Sequence, residues 1–96
     1  MAVKVFIKRK VAAEGLAPKL DALLRKMRVL TLNRKGYISG ETFNQIDQPG
    51  VSLVISSWQT LDDWREWTLS KERCELQEQI DKLLGQPTTY EVFENV

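Results

Sequence analysis

The stretch VSLVISSWQTLDDWREWTLS, residues 51–70, changes its period half-way along. Up to Trp58 it is apolar and β-branched, which reads as a strand. From Leu61 onward, Leu61, Trp64, Trp67 and Thr68 fall on one face of a helix. Thr60 and Asp63 have the spacing of a capping box, with Asp where Glu or Gln is usual, so the helix is expected to begin at Leu61. Asp62, Asp63 and Glu66 are then expected to face outward or to sit near the helix N-terminus, where negative charge suits the dipole.

Reading outward from this junction gives the remaining elements. VKVFIKRKV (3–11) alternates, with Val3, Val5 and Ile7 on one side and Lys4, Phe6 and Lys8 on the other, and reads as a first strand. Leu16, Leu20, Leu23, Leu24, Met27 and Leu30 make one helical stripe, with Pro18 early, where its missing N–H costs little; a helix over 16–31 is expected. GYISGETFNQID (36–47) returns to a period of two, and Asp47-Gln48-Pro49-Gly50 is a turn, so 36–58 reads as a hairpin. Beyond the tryptophans, Ser70 caps a second helical piece with the stripe Leu76, Ile80, Leu83 and Leu84, stopped by Gly85 and Pro87. TTYEVFEN (88–95) is a last strand. The order β-α-β-β-α-β, with its second helix in two pieces, predicts a ferredoxin-like α+β fold: a four-stranded antiparallel sheet with both helices on one face. At 96 residues, 1–96 is expected to be a single domain.

Composition narrows the chemistry. The chain contains no histidine and one cysteine, Cys74, so zinc sites, Cys–His dyads and Ser–His–Asp triads are excluded, and no metal site is expected. No glycine-rich phosphate loop is present. A net charge of +1 gives no broad attraction for nucleic acid or for an anionic membrane, and Lys8-Arg9-Lys10 reads as basic side chains at the end of a strand. No apolar run approaches the ~20 residues that span a bilayer. MAVKVFIKRKV lacks the pattern of a secretory leader, and the lone cysteine fits a reducing compartment; a cytoplasmic location is expected.

Two helices cover one face of such a sheet, yet the strands carry large apolar residues on both. Phe6, Val54, Trp58 and Phe93 each oppose another apolar set on their own strand, and are expected on the uncovered face. A bare apolar face on a soluble protein marks an interface, so a homodimer joined through its sheet faces is expected, with these four residues at the contact.

In the order GYISGETF, VSLVISSW, LDDWREWTLSKER, the chain resembles the antibiotic biosynthesis monooxygenase (ABM) domain family, from Val3 to Glu94. The most specific elements are Trp58 closing a strand, Trp67 on the helix that follows, and Ser70 three residues later. The resemblance implies a dimeric α+β barrel and, for one branch of the family, oxidation of anthrone-type aromatics by molecular oxygen with no cofactor. In that branch the substrate supplies the electrons, and the protein supplies a dry aromatic pocket and a group that stabilises an enolate-like anion. The asparagine expected four residues before Trp58 is Val54 here, so the stabilising group is unassigned and no catalytic residue is named. The haem-degrading branch implies a histidine ten residues after Trp67, where Gln77 stands. A neutral amide is a poor axial ligand compared with imidazole.

Trp58, Trp64 and Trp67 therefore have two readings: packing residues, or the walls of a cavity between helices and sheet. In the second, Trp67 and Trp64 bind a small aromatic ligand, Tyr37 or Tyr90 adds a hydroxyl, and Arg73, beside the inner stripe, holds an anionic group. Cys74 falls on the opposite side of its helix, with nothing near it to make a reactive thiolate. The alternatives to a monooxygenase are a non-catalytic small-molecule-binding dimer and a structural dimer of the same fold.

Overall fold

A computed structural model describes residues 2–10 and 17–96. Among them, β1 (Val3–Lys10), α1 (Ala17–Leu32), β2 (Tyr37–Asn44), β3 (Val51–Trp58), α2 (Leu61–Leu69), α3 (Lys71–Leu84) and β4 (Thr89–Glu94) follow in order. The sheet is antiparallel throughout, with strand order β2-β3-β1-β4. This is the ferredoxin-like α+β arrangement, the fold class of the dimeric α+β barrels. Val11 and Leu16, expected to end the first strand and to open the first helix, lie outside the described residues. No helix among the described residues is long and apolar enough to cross a membrane.

Local chemistry sets the helix ends. The Thr60 hydroxyl accepts a hydrogen bond from the Asp63 N–H at 3.1 Å, and the Ser70 hydroxyl accepts one from the Arg73 N–H at 3.3 Å. Ser70 thus ends α2 and starts α3 with extended backbone between them, the two-piece helix that the sequence predicts. Gly85 takes the left-handed cap of α3 at φ 73°, and its N–H donates to the Asp81 carbonyl.

The helices bury one sheet face. Val3 and Val5 pack against Trp58 and Trp67, while α1 and α3 meet through Leu20, Ile80 and Leu84. Strand register decides which residues share that face. Val5 stands opposite Ser56, Phe6 opposite Ile55 and Ile7 opposite Val54. The helix-covered face therefore takes Ser52, Val54, Ser56 and Trp58 from β3, and the bare face takes Leu53 and Ile55 with Phe6, Phe43 and Phe93. Phe6 and Phe93 meet there edge to face at 5.1 Å. This corrects the expected interface set: Val54 and Trp58 lie on the helix side, and Trp58 is 1% exposed. The two faces of β3 are both apolar, so its own alternation did not tell which one the helices cover.

A second correction concerns Asp63, which is buried rather than solvated. Gly36, between α1 and β2, has φ +85° and lies so close that a Cβ there would run into the Asp63 carboxylate. The Gly36 carbonyl also accepts the Gln59 N–H at 2.7 Å, which ties the start of β2 to the end of β3. Gly36→Ala is expected to cost roughly 1–3 kcal/mol for the left-handed backbone, and more for displacing Asp63. Urea denaturation measures it; an unchanged midpoint would show that this junction tolerates a side chain.

Candidate functional site

Between the helix layer and the sheet lies a cavity of ≈ 850 Å³. Small side chains make room for it: Gly40, Thr42, Ser52 and Ser56 line it on the inward face of β2 and β3. Helices resting on larger residues there would close the gap by ordinary core packing.

The cavity has an aromatic end and a polar end. At the aromatic end, Trp58 and Trp67 stack with ring centres 6.4 Å apart and planes 26° from parallel. Tyr37 meets Trp58 edge-on at 5.4 Å, and the Arg34 guanidinium lies 5.5 Å from the Trp67 ring centre. The Trp58 indole N–H donates to the Ser56 hydroxyl at 3.2 Å, so the buried ring is satisfied. Trp64, half-buried, reaches from α2 toward Tyr90 with ring centres 6.4 Å apart. Core packing and cavity lining are combined in these rings. Trp58 and Trp67 are core residues, and the same two, with Trp64, line the cavity.

At the polar end, an Arg73 Nη2–H donates to the Tyr90 hydroxyl oxygen at 2.6 Å, and its Nη1–H to the Thr68 carbonyl at 3.3 Å. The Arg73 guanidinium also sits 5.3 Å from the Tyr90 ring centre. Burial pushes the Tyr90 phenol up from its ordinary value of 10, and the nearby charges of Arg73 and Arg9 only partly oppose it. Gln77, the residue at the position of the haem-degraders' histidine, is buried. Its Nε2 donates to Asp81 Oδ1 and to Thr88 Oγ1, both at 2.9 Å. With a neutral amide at that position and no histidine in the sequence, these residues do not fit an axial haem ligand.

Trp64, Trp67, Tyr37, Tyr90 and Arg73 all line this one cavity. Val54 lines it too, in place of the asparagine that the resemblance implies. Cys74 is exposed. Among the described residues no group of acidic, histidine or cysteine side chains is placed to hold a metal ion. Sequence reasoning missed Arg9, which is buried at the polar end of the cavity. The signal was present: Arg9 continues the inward series Val3, Val5, Ile7, but its charge was read as the solvated end of a strand.

With this geometry the chain compares closely with several solved structures. A conserved protein from Methanosarcina mazei Go1 superposes with a TM-score of 0.89 at 16% identity, covering 100% of this chain and 94% of that one. SnoaB, a cofactor-independent oxygenase from Streptomyces nogalater, gives 0.84 at 12% identity over 99% and 93%. Rv0793 from Mycobacterium tuberculosis gives 0.85 at 20% identity over 100% and 96%. A putative antibiotic biosynthesis monooxygenase from Nitrosomonas europaea gives 0.84 at 8% identity over 99% and 90%. The fold is that of the antibiotic biosynthesis monooxygenase structures. No family model matches the sequence, and no curated protein matches it.

The raised Tyr90 phenol gives a checkable titration. Its neutral form is the one the fold favours, so this contribution to stability is whole below the unfolded tyrosine value of about 10 and is lost as pH rises through the folded value. Ultraviolet titration should show a phenol ionising above that of free tyrosine, and Tyr90→Phe should remove that step. Loss of a different step would assign the raised phenol to another tyrosine.

Proposed function

We propose that the chain is a cofactor-independent monooxygenase that oxidises a small aromatic or quinone-like substrate with O2 in the cavity between helices and sheet. The observation that carries this reading is the pairing of an aromatic wall with a half-buried guanidinium–phenol pair across one cavity of ≈ 850 Å³. A concave site of this size, with aromatic walls and convergent polar groups, suits a small molecule. The ABM fold, shared with an oxygenase that is itself cofactor-independent, adds support.

The chemistry asks little of the protein. An anthrone-type CH2 that loses a proton becomes a carbanion whose charge delocalises onto the ring oxygen. Electrons from the carbanion reduce O2 as a C–O bond forms, and protonation gives a hydroperoxide. Loss of the second C–H proton with O–O cleavage leaves a carbonyl and releases water. One oxygen atom thus enters the product and the other leaves as water. Trp58, Trp64 and Trp67 hold the ring plane and exclude water. Arg73, oriented by Tyr90 and by the Thr68 carbonyl, stabilises the enolate oxygen, a positioned charge worth far more in a dry site than in water.

We also infer a homodimer joined through the bare sheet faces at Phe6, Leu53, Ile55 and Phe93. Each such residue contributes ~1.5–3 kcal/mol when fully buried, so a few per subunit suffice for a stable contact. Light scattering is expected to give twice the chain mass, and Phe6→Asp to give the monomer with its circular dichroism unchanged. A monomeric parent protein would remove the sheet-face interface.

The activity is tested by titrating the protein with an anthrone under nitrogen and following tryptophan emission. Saturable quenching is expected, with Trp67→Phe lowering affinity by roughly two- to tenfold, the ~0.5–1.5 kcal/mol of one aromatic contact. Admitting air should then convert the anthrone to its quinone with one O2 consumed per turnover. Quenching without oxygen uptake beyond the uncatalysed rate would make the chain a binding protein, and no quenching would remove the site.

A further inference from the structure

One charge at the polar end of the cavity has no counterpart among the described residues. Arg9 is 7% exposed and lines the cavity, and its Nε is buried with no hydrogen-bond partner. None of the salt bridges among the described residues includes it. Burial pushes its pKa down, and the groups near enough to act on it are Tyr90, Asp81 and Arg73. Of these only Asp81 is a carboxylate. Its Oδ1 already accepts the Gln77 amide, the Thr88 N–H and the Thr88 hydroxyl. Two guanidiniums, Arg9 and Arg73, against one carboxylate leave a single positive charge over.

An ion withdrawn from water without a partner is costly, and a buried guanidinium left this way is better explained by a partner that arrives with the ligand. The transient enolate of the reaction does not answer this charge, because it forms only after binding and lies with Arg73 in the reading above. A group ionised throughout, carrying one charge and two coplanar oxygens, does answer it. That describes a carboxylate, the shape the guanidinium fork matches best. The outer part of the cavity agrees in sign: the exposed residues of α1 that line it include Arg25 and Arg28 against Asp21 alone. A positive rim draws anions toward the cavity and slows none.

We propose that this cavity takes an aromatic carboxylate, its carboxylate held by Arg9 at the polar end and its rings lying against the tryptophans. This deepens the functional reading above and rests on it, since it takes the cavity to be a ligand site.

Matched probes separate the two. Under nitrogen, isothermal titration calorimetry with anthracene-2-carboxylate and with the neutral anthracene-2-carboxamide compares one ring system with and without the charge. The parent protein is expected to bind the carboxylate at least about tenfold more tightly. In Arg9→Met that preference should fall below about twofold, with the carboxamide affinity unchanged. Because the substitution removes an unpaired buried charge, the ligand-free variant should melt at the same temperature as the parent or higher. Arg9→Lys, which keeps the charge but not the fork, should retain part of the preference and serves if Arg9→Met does not fold. Equal binding of the two probes by the parent overturns the inference and leaves the cavity as a site for neutral aromatics. A preference that survives both substitutions also overturns it, because the anion is then held elsewhere. Binding of neither probe overturns it together with the reading of the cavity as a ligand site.

Discussion

The stack of Trp58 on Trp67 joins the end of β3 to α2, and the cavity depends on it. One indole closes the central hairpin strand, and the other stands on the helix that begins three residues beyond the strand's end. Two aromatic rings fill the gap between sheet and helix layer at that end. Farther along β2 and β3 the inward residues shrink to Gly40, Thr42, Ser52 and Ser56, and nothing of comparable size takes their place. The helix layer is held by large residues at one end and by the Leu20, Ile80 and Leu84 contact of α1 with α3 elsewhere. What lies between stays open.

That arrangement answers what the clustered tryptophans do. A residue can be fully part of a core and still present one side of its ring to a cavity. Trp58 is the most deeply buried of the three and is held by its own hydrogen bond to Ser56, so its ring is a fixed wall. Opposite it, the polar end is built from residues far apart in sequence. Arg9 comes from β1, Arg73 and Gln77 from α3, and Tyr90 from β4, which pairs with β1. Antiparallel pairing places Tyr90 beside Ile7, two residues from Arg9, and the capped start of α3 brings Arg73 over it.

Most of the architecture was legible from periodicity. The strand-to-helix switch at Trp58, the Thr60 and Ser70 caps and the Gly85 stop each rest on local chemistry that tertiary packing did not override. The relative phase of the strands was not legible. In an antiparallel pair a shift of one residue exchanges the two faces completely, and β3 is apolar on both. Hence Val54 and Trp58 were placed with Phe6, although the register puts Ile55 beside Phe6 and Val54 beside Ile7. Asp63 is a related case: its helix position suggests solvent, and the close approach of Gly36 from another part of the chain is not readable along its own helix. Arg9 was readable from the alternation of its own strand, but a charged residue flanked by two lysines looks solvated until its neighbours across the cavity are known.

The proposed function requires an aromatic ligand in the space between the tryptophans and the arginines. A crystal structure of the protein grown under nitrogen with an aromatic carboxylate addresses that most directly. The account predicts the rings against Trp58, Trp64 and Trp67, and the carboxylate within hydrogen-bond reach of the Arg9 guanidinium. A ligand bound outside this cavity, or a cavity closed by side chains with no ligand in it, would contradict it.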